Sequence, residues 1–187
     1  MKKRLFIGVW LFVILVIALD YYVQSDAFSA RLRPYILSPL QEMLGPGARI
    51  GMIKANAVPL YLEVRDVVAG EAGIDAVQVR KVRVYINPFP LLLNRISLPS
   101  ITLLEPRISM TRSRTGEMSL MQIVDRIKTV AENRQKTEPS RFTVHPGSLS
   151  INNGAIVFLD KATETAVSVT GLTMSARIVT PLHTVRL

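Results

Sequence analysis

Catalysis needs a nucleophile, a positioned acid or base, or a bound metal, and this sequence is poor in all three. It contains no cysteine, which excludes a thiol nucleophile, a disulfide and a Cys-ligated zinc. Its two histidines, His145 and His183, are too few and too isolated for a His-based metal site. No GxSxG, phosphate-binding glycine loop, HExxH or dinucleotide fingerprint occurs. Asp20, Asp26, Asp66, Asp75, Asp125 and Asp160 do not pair at a useful spacing with a histidine or with another carboxylate. Asp160, beside Lys161, reads as a turn residue with a solvated charge. His145, ahead of Pro146 and Gly147, reads as a loop residue. No catalytic residue, cofactor or metal is therefore expected, and the chain reads as non-enzymatic.

The chemistry that is abundant is apolar contact. Hydrophobic residues make up 49% of the chain and aromatic ones only 6%, so the apolar content is mostly aliphatic. The formal net charge is +9, of which Lys2, Lys3 and Arg4 supply three, leaving +6 on the remainder. Those later cations are scattered (Arg65, Arg80, Lys81, Arg83, Arg95, Arg107) rather than run together with interleaved aromatics. Nucleic acid is not the expected partner. Anionic lipid head groups account for the balance at least as well.

One element can be placed from composition alone. Leu5 to Leu19 reads LFIGVWLFVILVIAL without a charge. It is apolar on every face, unlike a core helix of a soluble protein. The expected membrane-anchor residues are Leu5, Phe6, Ile7, Val9, Trp10, Leu11, Phe12, Val13, Ile14, Leu15, Val16, Ile17 and Leu19. As helix this segment spans about 22 Å, and extension through Val23 brings it to about 28 Å, close to the roughly 30 Å hydrocarbon core. Asp20, Tyr21 and Tyr22 then fall at the interface, where tyrosine is favoured. Lys2, Lys3 and Arg4 keep the N-terminus cytoplasmic by the positive-inside rule. The expected topology is thus a single pass with the bulk on the far side, which is the periplasm if the membrane is the inner membrane of a Gram-negative bacterium. A cleaved signal peptide is the competing reading, but Val16-Ile17-Ala18 fits a cleavage site poorly.

The elements that follow are mostly strands, giving a β-rich (α+β) class. The expected layout is a transmembrane helix followed by a curved antiparallel sheet or groove with a few short helices. Residues 1–26 form the cytoplasmic tip and anchor. Residues 27–48 form an amphipathic segment, expected as two short helices because Pro34 and Pro39 break it. It could close one end of the sheet or lie on the membrane surface. Residues 49–131 form a first β section with a helix. There Leu60, Leu62 and Val64 alternate with polar residues, and Val77 and Val79 do so before a slip at Arg80-Lys81, resuming at Val82, Val84 and Ile86. A slip of one residue flips the faces, so a bulge is expected at that point. Phe89 to Leu93 reads as a short helical turn. Ile96 to Arg112 is strand, with a bulge or edge at Pro99 and a kink at Glu105-Pro106. Ser119, with Gln122, caps a helix to Asn133. Residues 132–141 read as a polar linker. Residues 142–187 form a second β section that looks set to continue in a longer protein, with Asn152-Asn153-Gly154 as a hairpin turn.

These strands outnumber their covers. About eight short strands face one good soluble helix, so the sheet must fold on itself or its apolar face must be covered by something else. The order of motifs narrows the choice. VQVRKVRVYINPFPLLLNRISLPSITLLEPRISMTRSRTGEMSLMQIV, starting at Val77, has a strand, a short Leu-rich helix and a strand that kinks at Leu104-Glu105-Pro106. A turn and helix follow from Gly116 to Leu120. SLSINNGAIVFLDKATETAVSVTGLTMSA has the order strand, Asn-Gly, strand, Asp and returning strand, carried by Ile151, Asn153, Gly154, Val157, Phe158 and Asp160. Over nearly the whole chain this order resembles the N-terminal portion of the AsmA family (AsmA/TamB-like bridge-type lipid transfer proteins).

The resemblance implies an inner-membrane anchor, an apolar concave face and membrane phospholipids as partners. It also implies a part in moving them towards the outer membrane and in outer-membrane biogenesis. On this reading the lipid groove is lined by Leu60, Leu62, Val64, Val82, Val84, Ile86, Ile101, Leu103, Ile108, Met110, Ile151 and Val157. The rival reading is a periplasmic scaffold that assists other envelope proteins through strand-edge contacts.

Overall fold

The computed structural model describes residues 2–71, 74–116, 118–136 and 143–177. Helices α1 (Lys2–Val23) and α2 (Asp26–Leu44) lead into strands β1 (Ile53–Ala57), β2 (Leu60–Glu71) and β3 (Ile74–Asn87). A 3-10 turn at Phe89–Leu93 joins β3 to β4 (Arg95–Arg112). Helix α3 (Ser119–Lys136) precedes β5 (Thr143–Asp160) and β6 (Thr165–Arg177). The six strands form one sheet in chain order.

The curved sheet is mixed, which corrects the expected antiparallel one. β4 and β5 run parallel, while every other neighbouring pair is antiparallel. A parallel neighbour requires the chain to travel back along the sheet before it pairs again. The 113–142 segment, with α3 in it, is that crossover, and α3 rests against α2 and β4. The expected polar linker is in part the last turn of α3, which runs to Lys136. The capping side chains of Ser119 and Gln122 lie outside the described ones. Gly147 lets the parallel pair close up, since a Cβ there would sit 2.5 Å from the Pro99 carbonyl oxygen. Pro99 is on an interior strand, and the ladder is irregular beside it. β4 advances from Ser97 to Ser100 where β3 covers only Tyr85 to Asn87.

Three further expectations change. α2 is one helix with Pro34 and Pro39 inside it, ended by Gly45 at φ 102°. Burial of its Leu32, Ile36, Leu37 and Leu40 against the core holds it together across the prolines. Asn152 to Gly154 makes no hairpin, because β5 continues through it. A two-residue hairpin turn of the Asn-Gly type needs positive φ at both central residues, and only Asn153 has it, at 56°. Finally, β2 and β3 keep an unbroken register past Arg80-Lys81, with Arg65 opposite Lys81 and Val67 opposite Val79. No bulge is needed there because the neighbours slip too.

That shared slip organises the sheet. Asp66 on β2 has φ 53°, Glu105 on β4 has φ 50°, Asn153 on β5 has φ 56° and Gly171 on β6 has φ 73°. The registers put Asp66 opposite Arg80, Arg80 opposite Glu105 and Glu105 beside Asn153, with Gly171 next to the Leu172 that faces Gly154. A left-handed residue inside a strand resets the alternation. β2, β4, β5 and β6 therefore change phase along one transverse crease, and β3 follows at Arg80-Lys81, since its Val79 and Val82 meet the same cluster. Val64 and Val67, on either side of it, both end in the same buried cluster with Val79, Ile50 and Ile53. A β-branched side chain is strongly disfavoured at positive φ. Asn153→Val is thus expected to lower stability by about 1–2 kcal/mol, and Asn153→Gly to change it by about 0.5 kcal/mol or less, in urea denaturation.

Candidate functional site

The crease leaves one face of the sheet apolar from end to end. On β2 to β4 this face carries Leu62, Val64, Val67, Val79, Val82 and Leu103, with Val77 opposite Ile108 further along. The parallel register then sets Ile151 beside Leu103, Ile156 beside Ile108 and Phe158 beside Met110. β6 extends the face with Val167 opposite Phe158, Val169 opposite Ile156 and Met174 opposite Ile151.

Of the expected groove residues, eleven fall on this face and one does not. Val157 pairs with Ser109 and Ser168, on the opposite face. The slip at Asn153 moves the apolar phase of β5 to even numbers, so Ile156 and Phe158 replace it. Val64 is on the right face but buried, because α2 covers it, and Leu62, Val82 and Leu103 pack against the same cluster. Leu60, Val84, Ile86, Ile101, Ile108, Met110 and Ile151 remain half-buried. The residues missed, Leu149, Ile156, Phe158, Val167, Val169 and Met174, lie where no helix packs extensively among the described residues. Val167 and Met174 are more than half exposed. Their signal was the second phase slip, at Gly171.

α2 does the packing job, not the membrane-surface one. Its apolar side is spent on the core, and its outer side presents Arg31, Ser38 and Glu42, with Tyr35 the one large apolar group. α1 is different. Phe6, Trp10, Leu11, Ile14, Leu15 and Ile17 are all exposed around it, and among its described side chains only Val23, at its end, is buried. Val13 and Leu19 are exposed too, and Val16 is half-buried. The side chains of Leu5, Ile7, Val9 and Phe12 lie outside the described ones. Among the described residues, no single helix is long and apolar enough to cross a membrane. Val13–Val23 and α2, bent by 61°, meet the length and composition only as a pair.

The other face of the sheet is polar and basic, and there the scattered cations converge. Glu63 is 2% exposed. Its carboxylate accepts from Arg65 Nε at 2.7 Å and from Arg83 Nη2 at 2.7 Å, with Lys81 Nζ at 3.8 Å. Arg83 also lies over the Tyr61 ring, 5.3 Å from its centre. Burial by itself pushes the Glu63 carboxyl up. The Arg83 and Arg65 hydrogen bonds and the Lys81 charge outweigh it and hold the group below the ordinary glutamate value. This cluster ties β2 to β3 on the face away from the helices. Asp160, expected as a solvated charge, is buried. It accepts from the Ala162 and Thr163 amides and from Arg112, shaping the β5–β6 turn, and those amides draw its carboxyl below the usual range.

The fold is thus a mixed six-stranded sheet with one continuous apolar face, partly covered by its own helices and preceded by an exposed apolar helix. The model of the AsmA family matches residues 1–183, and the chain belongs to that family. No curated protein matches the sequence.

Glu63 has a depressed native pKa, so its contribution is complete above the unfolded value near 4.5 and is lost as pH falls through the lower native value. Glu63→Gln is expected to lower stability by about 2 kcal/mol at pH 7, since three cations lose their partner. In denaturant titrations the gap between variant and native protein should begin to narrow near the unfolded value of 4.5 and close as pH falls through the lower native value.

Proposed function

We propose that this chain is an inner-membrane-anchored, periplasmic lipid-binding module. In this reading it holds phospholipid on its apolar sheet face, takes part in lipid transport towards the outer membrane and so contributes to outer-membrane biogenesis. It works by surface and position and catalyses no reaction. The observation that carries the proposal is the apolar face of β5 and β6, where Val167, Val169, Leu172 and Met174 stand exposed to solvent. Membership of the AsmA family agrees with a role in the envelope.

The energetics favour such an occupant. Each buried methylene is worth about 0.8 kcal/mol, so one acyl chain gains on the order of 10 kcal/mol on a dry apolar face. The head group stays in water at the open side. Many equivalent aliphatic contacts, with no dominant polar one, let a chain slide. The exposed helix α1 supports the anchor, since an apolar cylinder with no protein cover needs lipid around it. The rival, a scaffold for envelope proteins, draws on β6. Its outer edge has no pairing strand among the described residues, and strand addition is an established mode of protein recognition.

A carboxylate placed among acyl methylenes should expel them without unfolding a face that is already half exposed. Met174→Asp, on the exposed part of that face, is expected to reduce co-purified phospholipid about tenfold, measured by mass spectrometry of the extracted lipid, with circular dichroism unchanged. Undiminished lipid in the variant would refute the groove. Trp10 is the chain's single tryptophan. In vesicles its fluorescence should be quenched by lipids brominated deep in the acyl chain, and an unquenched Trp10 would refute the anchor.

A further inference from the structure

The two ends of the strands differ in chemistry. At one end lie the β1–β2 turn, the Phe89–Leu93 helical turn and the start of β5. The pairings of Ala57 with Leu60, Tyr61 with Tyr85 and Arg95 with Thr143 bring them to the same side of the molecule. The exposed groups there are large and apolar: Val58 is 68% exposed, Phe89 77%, Leu93 70% and Val144 49%. The strand ends and turns here, residues 57–60, 86–96, 143–147 and 175–177, include Arg95, His145 and Arg177 and no aspartate or glutamate, while the adjoining α1–α2 junction brings Asp20 and Asp26. Phe89, Pro90 and Leu93 face Arg95, Ser97 and His145 across a shallow hollow of about 440 Å³. The opposite end carries both signs of charge, in Arg112 with Asp160, Arg114 with Glu164, and Lys161.

The apolar helix leaves from the apolar end. Ala57 N–H donates to Asp20 Oδ1 at 2.9 Å, and Gln24 Nε2 donates to Asp20 Oδ2 at 2.6 Å. The last turn of α1 is thereby fastened to the β1–β2 turn. α2 then runs back along β1, with Ser29 Oγ donating to the Ile53 carbonyl and Arg33 Nη2 to the Ile50 carbonyl. With a bend of 61° between the helices, α1 projects outward past Ala57, beyond the strand ends. Tyr21, 81% exposed, stands at the junction.

We infer that this rim of strand ends is a bilayer-contacting surface. Val58, Phe89 and Leu93 enter the boundary between head groups and acyl chains, and Arg95 and His145 face lipid phosphates. The inference rests on the membrane-anchored reading and adds to it the orientation of the sheet. The strands meet the bilayer end-on, so the apolar face opens at the membrane surface along its whole width. A lipid leaving the outer leaflet then enters the face along the strand direction, with no water-filled gap to cross. Continuity with the anchor and apolar tips backed by cations fit a phospholipid surface rather than a protein one, and the Asp20 carboxylate at this end is taken up by Ala57 N–H and Gln24.

The absence of cysteine permits a clean test. Single-cysteine variants Phe89→Cys, Val58→Cys and Thr163→Cys of the full chain carry the fluorophore NBD in nanodiscs of phosphatidylcholine and phosphatidylglycerol. At Phe89 and Val58 the emission should shift to the blue, and reduction by aqueous dithionite should be at least about threefold slower than at Thr163, on the opposite end. Trp10 quenching by brominated lipid is read in the same samples. A quenched Trp10 with fully aqueous labels at Phe89 and Val58 overturns the rim and leaves the anchor standing. An unquenched Trp10 overturns the anchor, and the rim with it. Two label positions guard against local disruption by either substitution.

Discussion

In a β-strand the side chains alternate strictly, so a sheet keeps one apolar face only if no strand slips, or if neighbouring strands slip at the same row. This chain uses the second solution. Asp66, Glu105, Asn153 and Gly171 adopt positive φ in line across the sheet. The apolar pattern on either side of that line is out of phase in sequence and in phase in space. Without the crease, Val67, Val79 and Ile156 would turn to the basic face. The core under α2 and the open face of β5 and β6 both depend on it.

The distribution of cover over that face follows from the connections. α2 covers the first strands because it returns directly along β1, held by Ser29 and Arg33. α3 reaches β4 because a parallel crossover must travel back over the sheet. The connection between β5 and β6 is only the four-residue turn after Asp160, which can bring no helix over those strands. The uncovered region is therefore a consequence of topology, and it falls where the aliphatic side chains continue. On the reverse face a single carboxylate serves three cations, which keeps that surface strongly basic while leaving no buried charge unpaired.

Local signals were legible in the sequence wherever one chain segment decided the outcome. The Phe89–Leu93 turn, the strand through Glu105-Pro106 and the helix starting at Ser119 each carry their own turn or capping residues. The slip at Arg80-Lys81 was also legible, but its resolution was not. Whether a slip becomes a bulge depends on the partner strands, and no single strand encodes what its neighbours do. Asn153-Gly154 misled for the same reason. The pair favours a hairpin in isolation, yet parallel pairing with β4 on both sides keeps β5 straight, and Val157 changes face as a result. The parallel pair itself had a trace in the sequence, since the one long connection with a helix lies between β4 and β5.

The claim that most of the account depends on is that the continuous apolar face is what holds lipid. Ile156 and Val157 are adjacent on β5, both half-buried, and point to opposite faces. A photocrosslinking amino acid at each position, activated in membranes, reads that difference directly. Phospholipid adducts at Ile156 and none at Val157 are the expected result. Adducts at both positions, or at Val157 alone, or to protein only, would contradict the account.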